Sequence, residues 1–260
     1  MTSRVLGVIP ARLGSSRLPR KPLHPIAGRP LIEWVWRRAR ACGVFDALVI
    51  ATDSPEVEAS ARAFGAAAVL TRAEHPSGTD RVAEVARREE WRGYPVIVNV
   101  QGDEPFVSAD HLRAAVGLVR DGWDVGTVAA PIASAEEWRE PAVVKVARGD
   151  DGRALYFTRA PVPHPRDAEP DFATGAYLRH VGIYAYAREA LLRWVSLPEG
   201  ALERIEKLEQ LRALAAGLRI GVAVGERAEG GVDTPADAAR AERILLRTPS
   251  PSPELERATP

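Results

Sequence analysis

The 260-residue sequence predicts an α/β fold in which helices cover both faces of a mostly parallel sheet, giving three layers. Two observations predict this class. Apolar strand-like segments and amphipathic helical segments alternate four times within roughly the first 120 residues. The strand-like segments are also continuously apolar, as expected of parallel strands that are buried on both faces.

The first half of the chain predicts four strands and four helices in alternation. Pro10 ends the first strand, and Pro30 suits the first turn of the first helix. Ser54 and Pro55 form a helix start in which the serine caps and the proline takes the first position. The predicted strands are residues 5–9, 47–51, 67–70 and 96–100. The predicted helices are residues 31–41, 55–64, 79–90 and 108–120.

The pattern loosens after residue 124. A proline-rich stretch at 160–170 predicts an irregular excursion, residues 201–216 predict one long helix, and residues 234–246 predict a last helix capped by Thr234. The predicted strands of this half are residues 125–132, 142–147, 154–157, 179–186 and 219–224.

This organisation predicts a single domain over residues 1–247. Within it, residues 124–190 form a smaller extension. Residues 248–260 are rich in proline and serine and predict a frayed tail.

The composition excludes several classes of protein. A single cysteine, Cys42, excludes an intrachain disulfide and a four-cysteine zinc site. Thirty-five basic residues balance 35 acidic ones, which argues against a bulk nucleic-acid or membrane-surface binder. No apolar run reaches the roughly 18–20 residues of a membrane helix, and the stretch 5–10 is too short for a signal-peptide core. We therefore expect a cytoplasmic protein.

A basic loop, PARLGSSRLPRKPL at residues 10–23, follows the first predicted strand. Ligands of open α/β sheets bind at the carboxyl ends of the strands. The first 32 residues carry six cations and no acid, and Gly14 lets backbone N–H groups approach an anion. The glycine spacing matches neither a Rossmann dinucleotide loop nor a Walker A loop. The pattern favours a polyphosphate site over a solvated basic turn.

Two acidic loops offer ligands for a divalent cation. Asp103, in QGDEPF, directly follows a buried strand, where an aspartate serves either Mg²⁺ or a turn. Asp233, in GGVDTPAD, precedes the capping Thr234, so the motif by itself favours a capping role. If the two carboxylates face each other, they form a metal clamp.

A fourth polar loop, RAEHPSGTDR, spans residues 72–81. Ser77 and Gly78 offer hydroxyl and N–H donors that suit a base or a ribose. Thr79 is a candidate cap for the next helix. His75 is a loop histidine, which is more often neither a catalyst nor a metal ligand.

Seven motifs then occur in order over about residues 4–246: IPARLGSSRLPRKPL, ATDSPEV, TRAEHPSGTDR, VNVQGDEP, RHVGIYAY, LERIEKLEQLR and GVDTPADAARAE. As an ordered set they resemble the 3-deoxy-manno-octulosonate cytidylyltransferase family. The resemblance implies a nucleotide-diphospho-sugar transferase-like fold with a sugar-binding and dimerisation extension. It also implies transfer of CMP from CTP to the anomeric hydroxyl of 3-deoxy-D-manno-octulosonate (Kdo), with release of pyrophosphate, which activates Kdo for lipopolysaccharide biosynthesis.

The resemblance also implies roles for individual residues. Arg12, Arg17 and Lys21 hold the triphosphate, while Asp103 and Asp233 hold Mg²⁺; of these, Lys21, Arg12 and the two aspartates are the catalytic set. The residues expected near the base and ribose are Arg72, Ser77 and Gln101. The residues expected to bind the sugar acid are Arg159, His180, Tyr184, Glu209 and Gln210.

Several of these positions have an alternative explanation. His180 and Tyr184, four apart in a strand, also fit a core face, and Glu209 and Gln210 also fit a solvated helix face. Lys145, in AVVKV, matches the family without an assignable role. Arg20 stands where the family usually has glycine, so the backbone of this loop could differ from the family pattern, and the arginine adds a charge compatible with phosphate. Pro76 stands where a glutamine is common.

The expected partners are CTP and a 2-keto-3-deoxy sugar acid, with no nucleic acid and no membrane. The resemblance implies a homodimer, for which we expect residues 158–178 and the strand 179–186 to supply the contact. Two other functions stay open: a cytidylyltransferase for another ulosonic acid, such as 8-amino-Kdo or a sialic acid, and a non-catalytic nucleotide-binding relative.

Overall fold

The computed structural model describes residues 3–15, 17–227 and 229–247. The predicted tail at 248–260 lies outside these residues. The strands are β1 (Val5–Ala11), β2 (Pro25–Ile26), β3 (Arg29–Pro30), β4 (Ala47–Thr52), β5 (Ala67–Leu70), β6 (Val96–Asn99), β7 (Val125–Pro131), β8 (Lys145–Arg148), β9 (Ala154–Thr158), β10 (Leu178–Ala187) and β11 (Ile220–Val224). The helices are α1 (Leu31–Ala41), α2 (Pro55–Ala63), α3 (Gly78–Arg87), α4 (Ala109–Arg120), α5 (Ala135–Arg139), α6 (Arg188–Trp194), α7 (Ala201–Glu206), α8 (Gln210–Ala215) and α9 (Pro235–Arg247).

The chain forms two compact units, each assembled from separate stretches of sequence. The first unit holds residues 4–93, 99–109 and 229–247, and the second holds residue 3, residues 94–98 and residues 110–227. The expected extension, residues 124–190, lies wholly in the second unit. Its role in sugar binding and dimerisation stays a prediction.

Parallel strands organise the first unit. β1 pairs with β4, and β4 pairs with β5, all in parallel. The side chains of β1 are almost all buried, as the continuous apolar run predicts. Ser54 caps α2 by accepting a hydrogen bond from the Val57 N–H, with Pro55 at the first position, as predicted. The α/β class is therefore confirmed here.

Mixed pairing organises the second unit. β11 runs parallel to β7, whereas β10 runs antiparallel to both β7 and β8, and β8 runs antiparallel to β9. β10 lies between β7 and β6 in the strand order. The strand predicted at 179–186 is therefore an interior strand of the sheet, and its part in a dimer contact stays a prediction.

Two predicted helices differ from those in the structure. The helix predicted at 201–216 is two short helices, α7 and α8, because Lys207 adopts a left-handed conformation with φ of 54° and ends α7. The helix predicted at 79–90 begins earlier and is capped by Ser77 rather than Thr79. The short helices α5 and α6 were not predicted. Among the described helices, none combines the length and the apolar character needed to cross a membrane.

Candidate functional site

The basic loop begins where β1 ends and is anchored to the neighbouring strands. The Leu13 N–H donates to Asp53 Oδ1 at 3.3 Å, and Asp53 Oδ2 accepts from the buried Arg81 guanidinium at 3.3 Å. Arg81 also donates to the Thr71 hydroxyl. Asp53 thereby ties the start of the loop to α3, a role that its motif did not predict for it or for Arg81.

Lys21 begins a single turn of 3₁₀ helix, Lys21–Leu23, directly after a left-handed residue. That residue is Arg20, with φ of 54° and ψ of 37°. A glycine adopts this conformation without steric cost, which explains why the family pattern has glycine here. The Arg20 guanidinium forms an ion pair with Glu56, so its charge is neutralised by α2.

The centre of the first unit is a cluster of four charged side chains from three separate loops. The Lys21 ammonium donates to Asp103 Oδ2 and, at 2.8 Å, to Asp233 Oδ1. Arg17 Nη2 donates to the same Asp233 oxygen at 3.1 Å. The predicted convergence of the basic loop and both aspartates is thus present in the structure.

The Asp233 carboxylate does not cap α9. The Thr234 hydroxyl accepts from the Asp237 N–H at 3.2 Å, and Asp237 Oδ2 accepts from the N–H groups of Asp233 and Thr234 at 3.2 and 3.0 Å. Thr234 and Asp237 therefore cap the helix between them. This leaves the Asp233 side chain to the cluster, against the capping role that its motif favoured.

Two glycines allow the loops of the cluster to approach one another. A Cβ at Gly102 would collide with the Pro10 carbonyl oxygen, and one at Gly231 would lie 3.2 Å from the Asp103 carbonyl oxygen. The Val232 N–H donates to that same Asp103 oxygen at 2.8 Å. The backbone around Asp103 is therefore held between β1 and the loop that carries Asp233.

The loop at 72–77 is organised by Glu84 on α3. Glu84 Oε2 accepts from the Arg72 N–H at 3.0 Å and contacts His75 Nε2 at 2.5 Å, so His75 serves to hold the loop. The Arg72 side chain is mostly exposed. The Ser77 hydroxyl donates to Asp80 Oδ2 at 2.7 Å and accepts from the Asp80 N–H at 3.2 Å. The structure thus uses the Ser77 side chain to cap α3, and its contact with a nucleotide stays a prediction.

The remaining nucleotide candidates, Arg12 and Gln101, flank the cluster along the chain. Arg12 directly follows β1, is exposed, and has no hydrogen-bond partner within the part of the chain that the structure describes. Gln101 is half-buried and lies two residues before Asp103.

Asp103 and Asp233 provide two carboxylates as possible ligands of a divalent cation. Among residues 3–15, 17–227 and 229–247, no three His, Cys, Asp or Glu side chains converge as a metal cage would require. Two carboxylates do converge on one cation, the Lys21 ammonium. Mg²⁺ is usually held by one or two carboxylates together with waters and substrate phosphates, so the pair fits this ion.

In the second unit, His180 is held by Thr127 and by aromatic rings. Its Nε2 lies 2.9 Å from the Thr127 hydroxyl oxygen, and the Phe157 ring meets it edge-on at 5.1 Å. The Thr127 hydroxyl donates to the Ile183 carbonyl at 2.7 Å, so it accepts its second hydrogen bond from His180 Nε2–H. Burial lowers the pKa of His180 to about 3. The imidazole is therefore neutral at physiological pH.

A bulge in β10 places this group. The register with β7 shifts between Val181 and Tyr184, which adds residues on the β10 side. The Thr127 hydroxyl satisfies a carbonyl that the bulge frees from the ladder. His180 and Tyr184 then lie on the same face of the strand, with ring centroids 5.2 Å apart.

Tyr184 belongs to a cluster of aromatic rings. It stacks on Tyr186 with centroids 5.9 Å apart and meets Trp194 edge-on. Its hydroxyl is buried without a hydrogen-bond partner among the described residues. Burial, with the charges of Tyr186 and Glu209, raises the pKa of Tyr184 well above its ordinary value. The hydroxyl is therefore a neutral donor.

Glu209 and Gln210 lie at the break between α7 and α8. Glu209 immediately precedes α8, and Gln210, the first residue of α8, is buried. Arg212 joins the two helices through hydrogen bonds of 2.8 and 2.6 Å to the buried Glu203 carboxylate. The solvated helix face considered for Gln210 is thus excluded.

Arg159 follows β9 and is half-buried. Its Nε donates to the Glu206 carbonyl at 2.8 Å, and its Nη1 donates to the Pro141 carbonyl at 3.0 Å. Two residues without a predicted role, Lys145 and Glu206, both form hydrogen bonds with the Arg159 backbone. A lysine inside an apolar strand of a chain with three lysines was the one available signal for Lys145.

Comparison with known proteins gives consistent matches over most of the chain. A family model described as cytidylyltransferase matches residues 6–220. The 3-deoxy-manno-octulosonate cytidylyltransferase of Gemmatimonas aurantiaca is 53% identical over 239 residues, which cover 91% of this chain and 92% of that protein. The protein of the same name from Syntrophobacter fumaroxidans is 46% identical, covering 90% and 94% of the two chains.

Solved structures agree with this match. CMP:2-keto-3-deoxy-manno-octonic acid synthetase complexed with CTP superposes with a TM-score of 0.88 at 42% identity, covering 94% of this chain and 99% of that one. 4-Diphosphocytidyl-2C-methyl-D-erythritol synthase from Anaerococcus prevotii has a TM-score of 0.63 at 12% identity over 94% and 99% of the chains, which shows the shared fold alone. These matches confirm the predicted nucleotidyltransferase-like fold.

Proposed function

The chain belongs to the 3-deoxy-manno-octulosonate cytidylyltransferase family, and we propose that it transfers CMP from CTP to the anomeric hydroxyl of Kdo. One observation of the structure carries the proposal: Arg17, Lys21, Asp103 and Asp233 converge from three loops far apart in sequence. In the reaction, a bond forms between the sugar oxygen and the α-phosphorus. The bond from that phosphorus to the leaving pyrophosphate breaks.

The first unit supplies the charges for the nucleotide. Arg12, Arg17 and Lys21 donate charge-assisted hydrogen bonds to the triphosphate and stabilise the charge that develops on the pyrophosphate. Lys21 is held between Asp103 and Asp233, so it is placed before the substrate binds. Arg72, Ser77 and Gln101 bind the base and ribose.

Mg²⁺ is the proposed cofactor, held by Asp103 and Asp233. When bound, the ion neutralises phosphate charge and withdraws electrons from the phosphorus centre. The carboxylate oxygens that would hold it now bind the Lys21 ammonium. We infer that the lysine transfers to a phosphate of CTP when the aspartates bind the ion.

The second unit supplies the groups for the sugar acid. Arg159 offers its guanidinium Nη2 as a charge-assisted donor to the carboxylate. With Nε2 committed to Thr127, neutral His180 presents an acceptor nitrogen to a sugar hydroxyl, and Tyr184 presents a donor. Glu209 and Gln210 complete the proposed set of hydrogen-bonding groups.

A homodimer is part of the proposal, supported by the family resemblance. Several large aliphatic side chains of the second unit are exposed, among them Leu155, Leu202 and Ile205. Light scattering after size exclusion tests the proposal, because a dimer has twice the chain mass of 28.2 kDa. A mass of one chain at micromolar concentration would contradict it.

Pyrophosphate release from CTP, Kdo and Mg²⁺ tests the function directly. The assay crosses CTP, UTP and GTP with Kdo, 8-amino-Kdo and a sialic acid, and we expect the highest kcat/KM for CTP with Kdo. A higher value with another sugar acid would reassign the substrate. No release with any pair, together with measurable CTP binding, would identify a non-catalytic nucleotide-binding relative.

A further inference from the structure

Lys145 is a fully buried lysine whose ammonium binds backbone carbonyls. It lies at the start of β8, paired with Thr158 of β9, and is 0% exposed. Its Nζ donates to the carbonyl oxygens of Glu140 at 2.9 Å, Val143 at 2.6 Å and Arg159 at 2.6 Å. An ammonium has three N–H donors, so all of them are used. Burying a charge is costly, so a lysine here needs a reason beyond filling space.

The backbone of Arg159 is held by two charged side chains. Its carbonyl accepts from Lys145, and its N–H donates to Glu206 Oε2 at 2.9 Å. The other oxygen of Glu206 accepts from the Thr158 hydroxyl at 2.6 Å. Arg159 lies one residue beyond the end of β9. There, hydrogen bonds from Lys145 and to Glu206 take the place of the strand-to-strand hydrogen bonds.

The Arg159 guanidinium depends on the same two residues. Its Nε donates to the Glu206 carbonyl at 2.8 Å, and its Nη1 donates to the Pro141 carbonyl at 3.0 Å. Pro141 lies in the turn whose Glu140 and Val143 carbonyls accept hydrogen bonds from Lys145. Lys145 therefore binds the Arg159 backbone. It also binds the turn that contains Pro141, whose carbonyl accepts from the Arg159 side chain.

One nitrogen of the Arg159 guanidinium, Nη2, is left for a ligand. Arg159 Nη2 has no hydrogen-bond partner within the ranges that the structure describes, and the side chain is half-buried. A guanidinium fixed at Nε and Nη1 presents Nη2 in a defined direction. A charge-assisted hydrogen bond to a carboxylate depends on such a fixed direction.

We propose that Lys145 is a positioning residue, which acts with Glu206 to orient the Arg159 guanidinium toward the carboxylate of the sugar acid. The inference rests on the proposed function, because it assigns the purpose of Arg159 from it. The residue before Lys145 contacts a second sugar-binding candidate, since the backbone N–H of His180 donates to the Val144 carbonyl at 2.8 Å. Lys145 and its neighbour Val144 thus bind the backbones of Arg159 and His180.

The first test replaces the ammonium with a group of similar length, Lys145→Met. We expect the KM for Kdo to rise about tenfold or more, because Arg159 loses its fixed direction. The KM for CTP and the calorimetric affinity for CTP should stay within about twofold, because the nucleotide candidates lie in the first unit. A purely structural role predicts instead that both KM values change together or that neither changes.

Arg148→Met is the matched control. Arg148 lies on the same strand, and its Nε donates to the Val222 carbonyl at 2.8 Å, so this variant also removes a contact from a cation to a carbonyl. It does not touch Arg159. We expect both KM values to match the wild type. A rise in the KM for Kdo equal to that of Lys145→Met would overturn the proposal.

A second pair of variants decides the question if Lys145→Met does not fold. Glu206→Gln keeps an oxygen that accepts from the Arg159 N–H, whereas Glu206→Ala removes it. We expect Glu206→Ala to raise the KM for Kdo about tenfold and Glu206→Gln to restore most of the loss. An unchanged KM for Kdo in Glu206→Ala overturns the proposal.

A readout without the sugar separates this inference from the proposed function. The Arg159 Nε–H should exchange slowly with solvent because it donates to the Glu206 carbonyl, and its NMR signal is assigned by its loss in Arg159→Lys. Faster exchange in the folded lysine or glutamate variants supports positioning even if the wild type does not use Kdo. Wild-type exchange rates in both variants overturn it, whatever the substrate proves to be.

Discussion

The candidate site residues of the two units bind their cations differently. In the first unit, Lys21 and Arg17 pair with Asp103 and Asp233, and Lys21 keeps 15% of its side chain exposed while the aspartates keep 30 and 43%. In the second unit, Lys145 and Arg159 bind backbone carbonyls instead. Carboxylates can exchange one cation for another, whereas backbone carbonyls fix the position of a cation.

This difference fits the two substrates. If the nucleotide binds together with Mg²⁺, as proposed, the cations and carboxylates have to change partners. A sugar acid is selected by the shape and direction of hydrogen bonds, which a rigid set provides. The comparison predicts that charge changes in the first unit act on turnover and nucleotide binding, and that changes in the second unit act on sugar selection.

The largest expected effect is at the aspartates. Asp103→Asn and Asp233→Asn keep the shape of the side chain but lose the charge that a hard cation requires. We expect each to lower kcat by on the order of 10²-fold or more, about 2.7 kcal/mol of lost transition-state stabilisation. Melting temperatures should shift by only a few degrees. Steady-state kinetics with a thermal melt of each variant provides the measurement.

The double variant sharpens this prediction. It should be little worse than either single change, because the two aspartates act as a unit. Asp237→Asn is the control, since Asp237 caps α9 and does not contact Lys21 in any described hydrogen bond. Near-wild-type turnover in Asp233→Asn would remove the two-aspartate clamp from the mechanism.

Lys21→Ala should have the next largest effect. A lost charge-assisted hydrogen bond to phosphate, worth about 1.5–3 kcal/mol, lowers kcat/KM for CTP roughly 10- to 100-fold. The KM for Kdo should stay near the wild-type value. Unchanged CTP kinetics would contradict this contrast between the units, because Lys21 would then be only a structural counter-ion of the two aspartates.

The metal affinity of the same variant gives a second measurement. Lys21→Ala frees the carboxylates from the ammonium, so Mn²⁺ should bind the protein more tightly without nucleotide, as followed by electron paramagnetic resonance. Arg20→Ala is a suitable control, because Arg20 pairs with Glu56 rather than with either aspartate. Equal Mn²⁺ affinity in wild type and Lys21→Ala would contradict the shared site.

His180 predicts a pH dependence of stability. The folded protein holds the pKa of His180 at about 3, below the ordinary value of 6.5, so the unfolded chain binds more protons between these values. His180 therefore makes the free energy of unfolding fall as pH drops from about 6.5 toward 3. Urea unfolding at several pH values should show a weaker decrease in His180→Gln. An unchanged pH slope would show that His180 is not buried as a neutral group.

Arg20→Gly should have the smallest effect. Glycine relieves the left-handed strain, about 1 kcal/mol, but it loses an exposed ion pair with Glu56 that contributes little and gains entropy in the unfolded chain. We expect the free energy of unfolding to change by less than about 1 kcal/mol, measured by urea unfolding, with no change in the KM for CTP. A several-fold rise in that KM would show that the Arg20 charge acts on phosphate after all.

The sequence determined most of the first unit. Contiguous apolar runs identified β1, β4, β5 and β6. The carboxyl ends of β1 and β6 identified the basic loop and Asp103, because parallel strands present their following loops at one edge. Asp233 was found as well, but its motif pointed to a cap. Only the fold showed that Asp237 takes the capping role and leaves Asp233 to Lys21.

Tertiary structure decided the second unit. The bulge that places His180 beside Thr127 and the Arg159 carbonyl that Lys145 binds depend on contacts between separate strands. Local periodicity carries no record of such contacts. Backbone carbonyls are present at every residue, so a sequence does not mark which of them a buried ammonium will bind. Loops that follow strands carry their reactive groups on their own side chains, which the sequence shows. The second-unit site instead uses backbone groups, which the sequence does not distinguish, so it could not be predicted.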